Sequence, residues 1–288
     1  MSDTMYYEDN VQEFGVAHNW YSASIKDTVI TKRGTLVEMV ERPKWGLACY
    51  MDNSIQSALI DEKIYHEALV HPVMSSVNEK KRVMIIGGGE GATAREVLKW
   101  PGVEEVDMFE WDRQVVELFR NKYPQWAQGA WNDPRLIINY SDIFETIKTP
   151  PKKGQRYDII IIDLFEPSDN NKSQWLTLIK SLHNWLTVNG SIVMYAGMRN
   201  ILEPIQPYNK LIEMIEYNEV RQGHIVRDFS LAKEIIPYRV WIPSFSGECM
   251  FLLLKHPHIV SKLEFEEAKK LNSHITDNIW NSYKTLNW

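Results

Sequence analysis

The run Val83-Met84-Ile85-Ile86-Gly87-Gly88-Gly89-Glu90-Gly91-Ala92-Thr93-Ala94-Arg95-Glu96-Val97-Leu98 decides the fold of this chain. An apolar segment of strand length ends in a cluster of glycines, and a helix-forming segment follows at once. Strand, tight turn and helix in that order form the unit that carries a nucleotide or nucleoside on its loop. The turn takes positive φ, and the ligand has to approach the backbone without meeting a Cβ, so glycine is needed on both counts. Gly87, Gly89 and Ala92 also satisfy the permissive dinucleotide spacing, so the loop alone leaves the ligand open.

Downstream, the same texture repeats. Val106–Glu110, Leu136–Asn139, Asp158–Asp163, Ser191–Tyr195 and Met250–Leu254 read as further strands, with helices starting near Gly91, Asp112 and Ser173. Strands buried on both faces and alternating with amphipathic segments give a mostly parallel sheet covered by helices. Upstream, Thr35–Val40 and Leu47–Met51 are short strand candidates bounded by Lys32-Arg33-Gly34, Glu41–Gly46 and Asp52-Asn53, the mark of a small antiparallel unit. The expected division is an N-terminal β domain with a linking segment over 1–78 and a Rossmann-like, methyltransferase-type α/β domain over 79–288. The tail after His256 reads as a polar helix without evident chemistry.

Composition narrows the classes. The 288 residues carry a net charge of −6, which argues against a strongly basic nucleic-acid groove. The apolar runs are far shorter than the ~20 residues that span a bilayer. Cys49 and Cys249 are too few for a disulfide framework and lack zinc-site spacing, and the acidic N-terminus has no signal-peptide core. A soluble cytoplasmic protein with no metal is expected.

Carboxylates stand where an open parallel sheet binds its ligands, beyond the carboxyl ends of the strands. Glu110 ends the second strand, about 20 residues after the loop, the position from which an acid accepts ribose hydroxyls. Glu90 lies inside the loop, where a dinucleotide would place its pyrophosphate, and like charges there cost several kcal/mol. A cationic ligand is favoured. Decarboxylated S-adenosylmethionine carries a sulfonium and an amine and no carboxylate, whereas S-adenosylmethionine brings a carboxylate that Glu90 repels. Glu90 also reads as a solvent-facing acid at a helix N-terminus. Asp142 suits an adenine amino group and equally a helix N-cap. Asp163 and Glu166 flank two apolar residues after four isoleucines; a poorly solvated carboxylate there suits proton removal from an ammonium, and a structural ion pair is the alternative.

Taken with Asp52 to Pro72, which includes Tyr65-His66-Glu67, these segments resemble the polyamine aminopropyltransferases, the spermidine synthase family. The likeness covers roughly residues 15–255, and the Gly87–Glu96 loop with Pro243-Ser244-Phe245 is most similar to the thermospermine synthase branch. The resemblance implies a donor pocket formed by Gln56, His66, Gly87, Gly89, Glu90, Gly91, Glu110, Asp142 and Ile143, with Glu90 facing the aminopropyl chain. It implies catalysis by Asp163, with Tyr65 hydrogen-bonding the acceptor amine, and acceptor contacts from Glu166, Tyr195 and Phe245. Decarboxylated S-adenosylmethionine is then a co-substrate, with no tightly bound cofactor, and the assembly is a homodimer or homotetramer. Four positions depart from the family pattern: Asp52-Asn53 for Asp-Gly, Glu166 for Asp, Tyr195 for Gln, and Phe245 in a segment that lacks the usual tyrosine. The last three fall on the acceptor side. Competing readings are an S-adenosylmethionine-dependent amine N-methyltransferase and a non-catalytic polyamine- or nucleoside-binding homologue.

Overall fold

The computed structural model describes residues 6–11, 16–152, 154–168, 170–199, 207–216, 218–221, 224–228, 234–255 and 266–285. In chain order the elements are β1 (Tyr6–Val11), β2 (Val16–Tyr21), β3 (Ser24–Ile30), β4 (Leu36–Arg42), β5 (Gly46–Met51), β6 (Ser54–Ala58) and α1 (Glu62–Ser75). Then come β7 (Arg82–Gly87), α2 (Ala92–Leu98), β8 (Glu105–Glu110), α3 (Arg113–Lys122), β9 (Leu136–Tyr140), α4 (Ile143–Thr146), β10 (Tyr157–Asp163), α5 (Lys172–Trp185) and β11 (Leu186–Arg199). The chain continues through α6 (Pro207–Ile215), β12 (Asn218–Arg221), β13 (His224–Asp228), β14 (Glu234–Ile242), β15 (Gly247–Lys255), α7 (Glu266–Leu271) and α8 (Asp277–Tyr283).

Seven strands form the main sheet in the order β14-β15-β11-β10-β7-β8-β9. The five from β11 to β9 run parallel, and β15 and β14 add antiparallel at one edge. The period-2 geometry of a strand explains why β7 and β10 are apolar without alternation. Val83, Ile85, Ile159, Ile161 and Val193 enter one core layer with α1, α2 and α3. Met84, Ile86, Ile160, Ile162, Ile192 and Met194 enter the other with α5 and α6. Both faces are buried, so neither tolerates a polar residue. Helix α5 presents Trp175, Leu178, Ile179 and Leu182 to that second layer, an i, i+3, i+4, i+7 stripe.

Strand order reverses direction between β7 and β10. The chain moves outward from β7 to β8 and β9, then returns to place β10 on the other side of β7. A crevice opens at such a switch point, beyond the carboxyl ends of the two strands. Over it lies the small antiparallel sheet β3-β4-β5-β6, whose Val37, Met39 and Cys49 share the first core layer. The turn between β5 and β6 holds Asp52 at φ +48° and Asn53 at φ +65°, so Asn53 does accept the left-handed conformation for which the family uses glycine.

Several elements differ from the sequence reading, among them β14 and the tail. Strand β14 was not expected, because Pro237 interrupts its apolar run; as the sheet's edge strand it has room for a residue without an N–H. The tail beyond His256 contains two short helices, α7 and α8, docked on the fold, with 256–265 outside the described residues. Trp280 packs edge-on against Tyr238 at 4.9 Å between ring centroids, and the Glu67 carboxylate accepts the Ser273 and His274 N–H groups at 3.0 and 2.8 Å.

Candidate active site

A cavity of about 510 Å³ occupies the switch point. Gln56, Tyr65, His66, Gly87, Gly89, Glu90, Glu110, Asp142, Ile143, Asp163, Glu166, Tyr195 and Phe245 all line it. They come from β6, α1, β7 and the loop after it, the ends of β8 and β10, the start of α4, β11 and the turn between β14 and β15, so segments 140 residues apart and more converge on one space. Gly91 does not line it. At φ +81° it caps α2 in the left-handed region, and a Cβ there would meet the Trp131 ring at 2.4 Å. Its glycine serves packing behind the loop. Gly87 meets the opposite neighbour: at φ +89°, a Cβ would lie 2.1 Å from the Asp163 carbonyl oxygen, so this glycine allows β7 and β10 to turn side by side into the site.

Asp163 ends β10 and faces the cavity while protein encloses it. Its two oxygens accept hydrogen bonds from the Tyr65 hydroxyl and the Thr93 hydroxyl, both at 2.8 Å. Burial, and then the charge of Glu90, push its carboxyl above the ordinary range; the charge of His66 and the two hydroxyl donors pull it back. Burial and the neighbouring Asp163 hold the Tyr65 hydroxyl well above the usual phenol range, so it remains a donor. This pair is an acceptor of protons with a fixed orientation.

Glu90 is partly buried and bonds His66 Nε2 at 2.7 Å, so it is not the solvent-facing helix-terminal acid of the alternative reading. Its oxygen, the His66 nitrogen and an Asp163 oxygen lie within 4.8 Å of one another. Both ring nitrogens of His66 already have oxygen partners within the protein.

At the other end, Glu110 accepts the Asp112 N–H at 2.9 Å through one oxygen, and the second lies beside Gly89. Burial drives its carboxyl up to about 7, against that hydrogen bond and with the Glu90 charge adding to the rise. Asp142 combines both of its sequence readings: it caps α4, accepting the Phe144 N–H at 2.9 Å, and it lines the cavity. Gln56 sits at the exposed rim, its amide on the Ser54 carbonyl at 3.2 Å.

On the acceptor side, burial and then the charge of nearby Glu166 keep the Tyr195 hydroxyl protonated. The rings of Tyr195 and Phe245 lie 5.9 and 6.2 Å from that of Tyr65.

The comparisons with known proteins bear on this arrangement. The sequence model described as spermine/spermidine synthase domain matches residues 62–264. The chain belongs to the spermine/spermidine synthase family. Its chemistry is aminopropyl transfer, as the sequence reading implied. A polyamine aminopropyltransferase of Pyrobaculum calidifontis is 36% identical over 229 residues, 77% of this chain and 74% of the relative. Another, from Hyperthermus butylicus, is 35% identical over 232 residues, 78% and 73% of the two chains. The crystal structure of spermidine synthase from Thermotoga maritima superposes with a TM-score of 0.82 at 20% identity, covering 99% of this chain and 92% of that one. A spermidine synthase in complex with the transition state analogue AdoDATO gives 0.83 at 20% identity over 99% and 93%. At that identity the structural likeness speaks for the fold.

Within this family member, three polar residues at or behind the site escaped the sequence reading. Thr93 donates to Asp163, and Glu62 and Arg95 stand behind His66. Glu62 was accessible in principle, because it precedes His66 by four residues and so shares its helix face.

Proposed function

We propose that the cavity holds decarboxylated S-adenosylmethionine with its ribose on Glu110, its adenine between Asp142 and Ile143, and its cationic aminopropyl chain toward Glu90. Gln56, His66, Gly87 and Gly89 complete the donor wall. The acceptor is an amine such as putrescine or spermidine, seated among Tyr65, Asp163, Glu166, Tyr195 and Phe245. The observation that carries this reading is the half-buried Tyr65–Asp163 pair beside Glu90, two carboxylates of different duty within one cavity.

Attack of the neutral amine nitrogen on the carbon bound to sulfur forms the N–C bond as the C–S bond breaks. The C–S electron pair returns to sulfur and neutral methylthioadenosine leaves. The new ammonium loses its proton to Asp163, whose raised affinity for protons suits that role. Tyr65 orients the carboxylate, the aromatic walls exclude water from the nucleophile, and the fold keeps the reactants in line. Glu166, Tyr195 and Phe245 give the acceptor end its own character, consistent with the motif-level likeness to the thermospermine branch.

We further place the division between the N-terminal β domain and the catalytic domain at 78/79. The protein is assigned to the cytoplasm, where buried Cys49 and Cys249 remain reduced thiols. No helix among the described residues is long and apolar enough to cross a membrane. A homodimer or homotetramer assembled through the N-terminal sheet is supported by exposed Tyr21, Ile25 and Ile30 on β2 and β3; light scattering at micromolar concentration is expected to give a multiple of the chain mass.

The function is tested by incubating the protein with decarboxylated S-adenosylmethionine and a series of amines. Mass spectrometry is expected to find methylthioadenosine and an aminopropylated amine in equal amounts. Transfer of a methyl group from S-adenosylmethionine instead would establish the competing reading, and tight binding without turnover would establish the non-catalytic one.

A further inference from the structure

Glu90 is the front of a buried chain of charges. Behind it, His66 places Nε2 at 2.7 Å from Glu90 Oε1, and Nδ1 at 2.6 Å from the Glu62 carbonyl oxygen and 2.9 Å from Glu62 Oε2. The Glu62 carbonyl can only accept. Its carboxylate is held low despite burial, by hydrogen bonds from His66 and Arg95, so it too only accepts. A proton is therefore required on Nδ1, and Glu90 requires a second on Nε2. Arg95 grips Glu62 with two parallel bonds, Nη1 to Oε1 at 2.9 Å and Nη2 to Oε2 at 2.8 Å. Glu96, drawn down to about 2 by His71 and by Arg95 and Lys99 against its burial, closes the row behind Arg95.

A guanidinium does not give up its proton, so this row cannot conduct protons outward. Its geometry suits a fixed charge. Glu90 and Asp163 stand within 4.8 Å in a site of low dielectric, a spacing at which two carboxylates raise each other's proton affinity unless a cation lies between them. Buried as it is, His66 is held up to about 10 by Glu62 and Glu90, and its charge in turn lowers Asp163.

We propose that Glu62, gripped by Arg95, is a positioning residue that keeps His66 as a permanent imidazolium. That fixed cation orients Glu90 toward the donor and lets Glu90 and Asp163 share one cavity. The proposal rests on the donor reading given above for the role of Glu90, but the state of His66 is independent of it. The groups facing His66 are Glu62 from its own helix, Glu90 from the loop, Asp163 from β10 and the Tyr65 ring at 5.1 Å. Among these groups none offers the ring a hydrogen-bond donor, because the carboxylates accept and the Tyr65 hydroxyl is given to Asp163.

The test is nitrogen-15 NMR of the histidine side chains in the full-length protein, with His66→Gln used to assign the signal. At pH 8, where a free imidazole is neutral, both His66 nitrogens are expected to carry protons. One bare nitrogen in the parent protein overturns the proposal. In Glu62→Gln the ring is expected to give up one of its two protons at pH 8, with Nδ1 still held by the main-chain carbonyl of residue 62, and the KM for the donor to rise about tenfold or more, the usual effect of losing a hydrogen bond to a charged group. The kcat at saturating donor should change much less, and Glu62→Asp should restore the imidazolium signal in part. A Glu62→Gln protein that unfolds at lower denaturant yet keeps both protons and the parent KM shows a merely structural role and defeats the assignment. If Glu62→Gln does not fold, the parent spectrum alone decides. A parent enzyme that turns over no donor counts against the functional reading, while the same spectrum still decides this one.

Discussion

Glu110 is expected to weaken the fold in order to serve the ligand. Its side chain is 9% exposed, and burial lifts its carboxyl from 4.5 to about 7. A group whose folded-state value is raised contributes full stability below its unfolded value and loses it as pH climbs toward the folded one. Between about pH 4.5 and 7, therefore, the parent protein progressively loses the contribution of this residue. The size follows from the shift at about 1.4 kcal/mol per pH unit, giving ~3 kcal/mol at pH 8. Glu110→Gln removes the titration, and its amide oxygen can still accept the Asp112 N–H bond seen at 2.9 Å. The variant is expected to be up to ~3 kcal/mol more stable than the parent at pH 8 and equal to it near pH 4. The same change is expected to weaken methylthioadenosine binding about ten- to hundredfold, because hydrogen bonds to a charged acceptor are lost. Urea unfolding at the two pH values and calorimetry with the nucleoside measure both effects. Equal stability at pH 8, or a difference that does not vary with pH, would refute the argument that Glu110 is buried at a cost.

The charge of Glu90 predicts discrimination between donors: the parent should bind decarboxylated S-adenosylmethionine more tightly than S-adenosylmethionine, and Glu90→Gln should narrow that ratio by about tenfold or more. Equal calorimetric affinities in the parent would remove the charge-exclusion argument. Gly91→Ala is expected to lower stability by roughly 3 kcal/mol, since it forces a Cβ into the left-handed region and against Trp131. Denaturant unfolding checks this, and a variant as stable as the parent would show that the loop yields freely.

Much of this architecture was legible in the chain because single rules governed it. The unbroken apolar runs of β7 and β10 follow from burial on both faces, and acids at strand ends mark the crevice of an open sheet. Where two rules compete, the reading failed. Strand β14 hid behind Pro237, whose missing N–H matters in a central strand and not at the edge. Gly91 looked like its neighbours in the loop, but its environment is the indole of Trp131, forty residues later, which no local pattern reveals. The tail read as polar because its docking residues, Ala268, Ile275 and Trp280, are few and widely spaced. Thr93 was invisible for a related reason: a hydroxyl early in a helix has a plain local role, and its bond to Asp163 depends on the pairing of β7 with β10.

The central claim is that this cavity transfers an aminopropyl group with Asp163 taking the proton. The most direct measurement compares methylthioadenosine release by the parent and by Asp163→Asn, with donor and acceptor saturating at neutral pH. Asparagine keeps the shape and can retain one of the two hydroxyl bonds now made by Tyr65 and Thr93, but it cannot accept the proton. The account predicts intact binding of methylthioadenosine and a fall in turnover of ~10²–10⁴-fold. Turnover near the parent rate would contradict it, and would move the proton to Glu166 or to water.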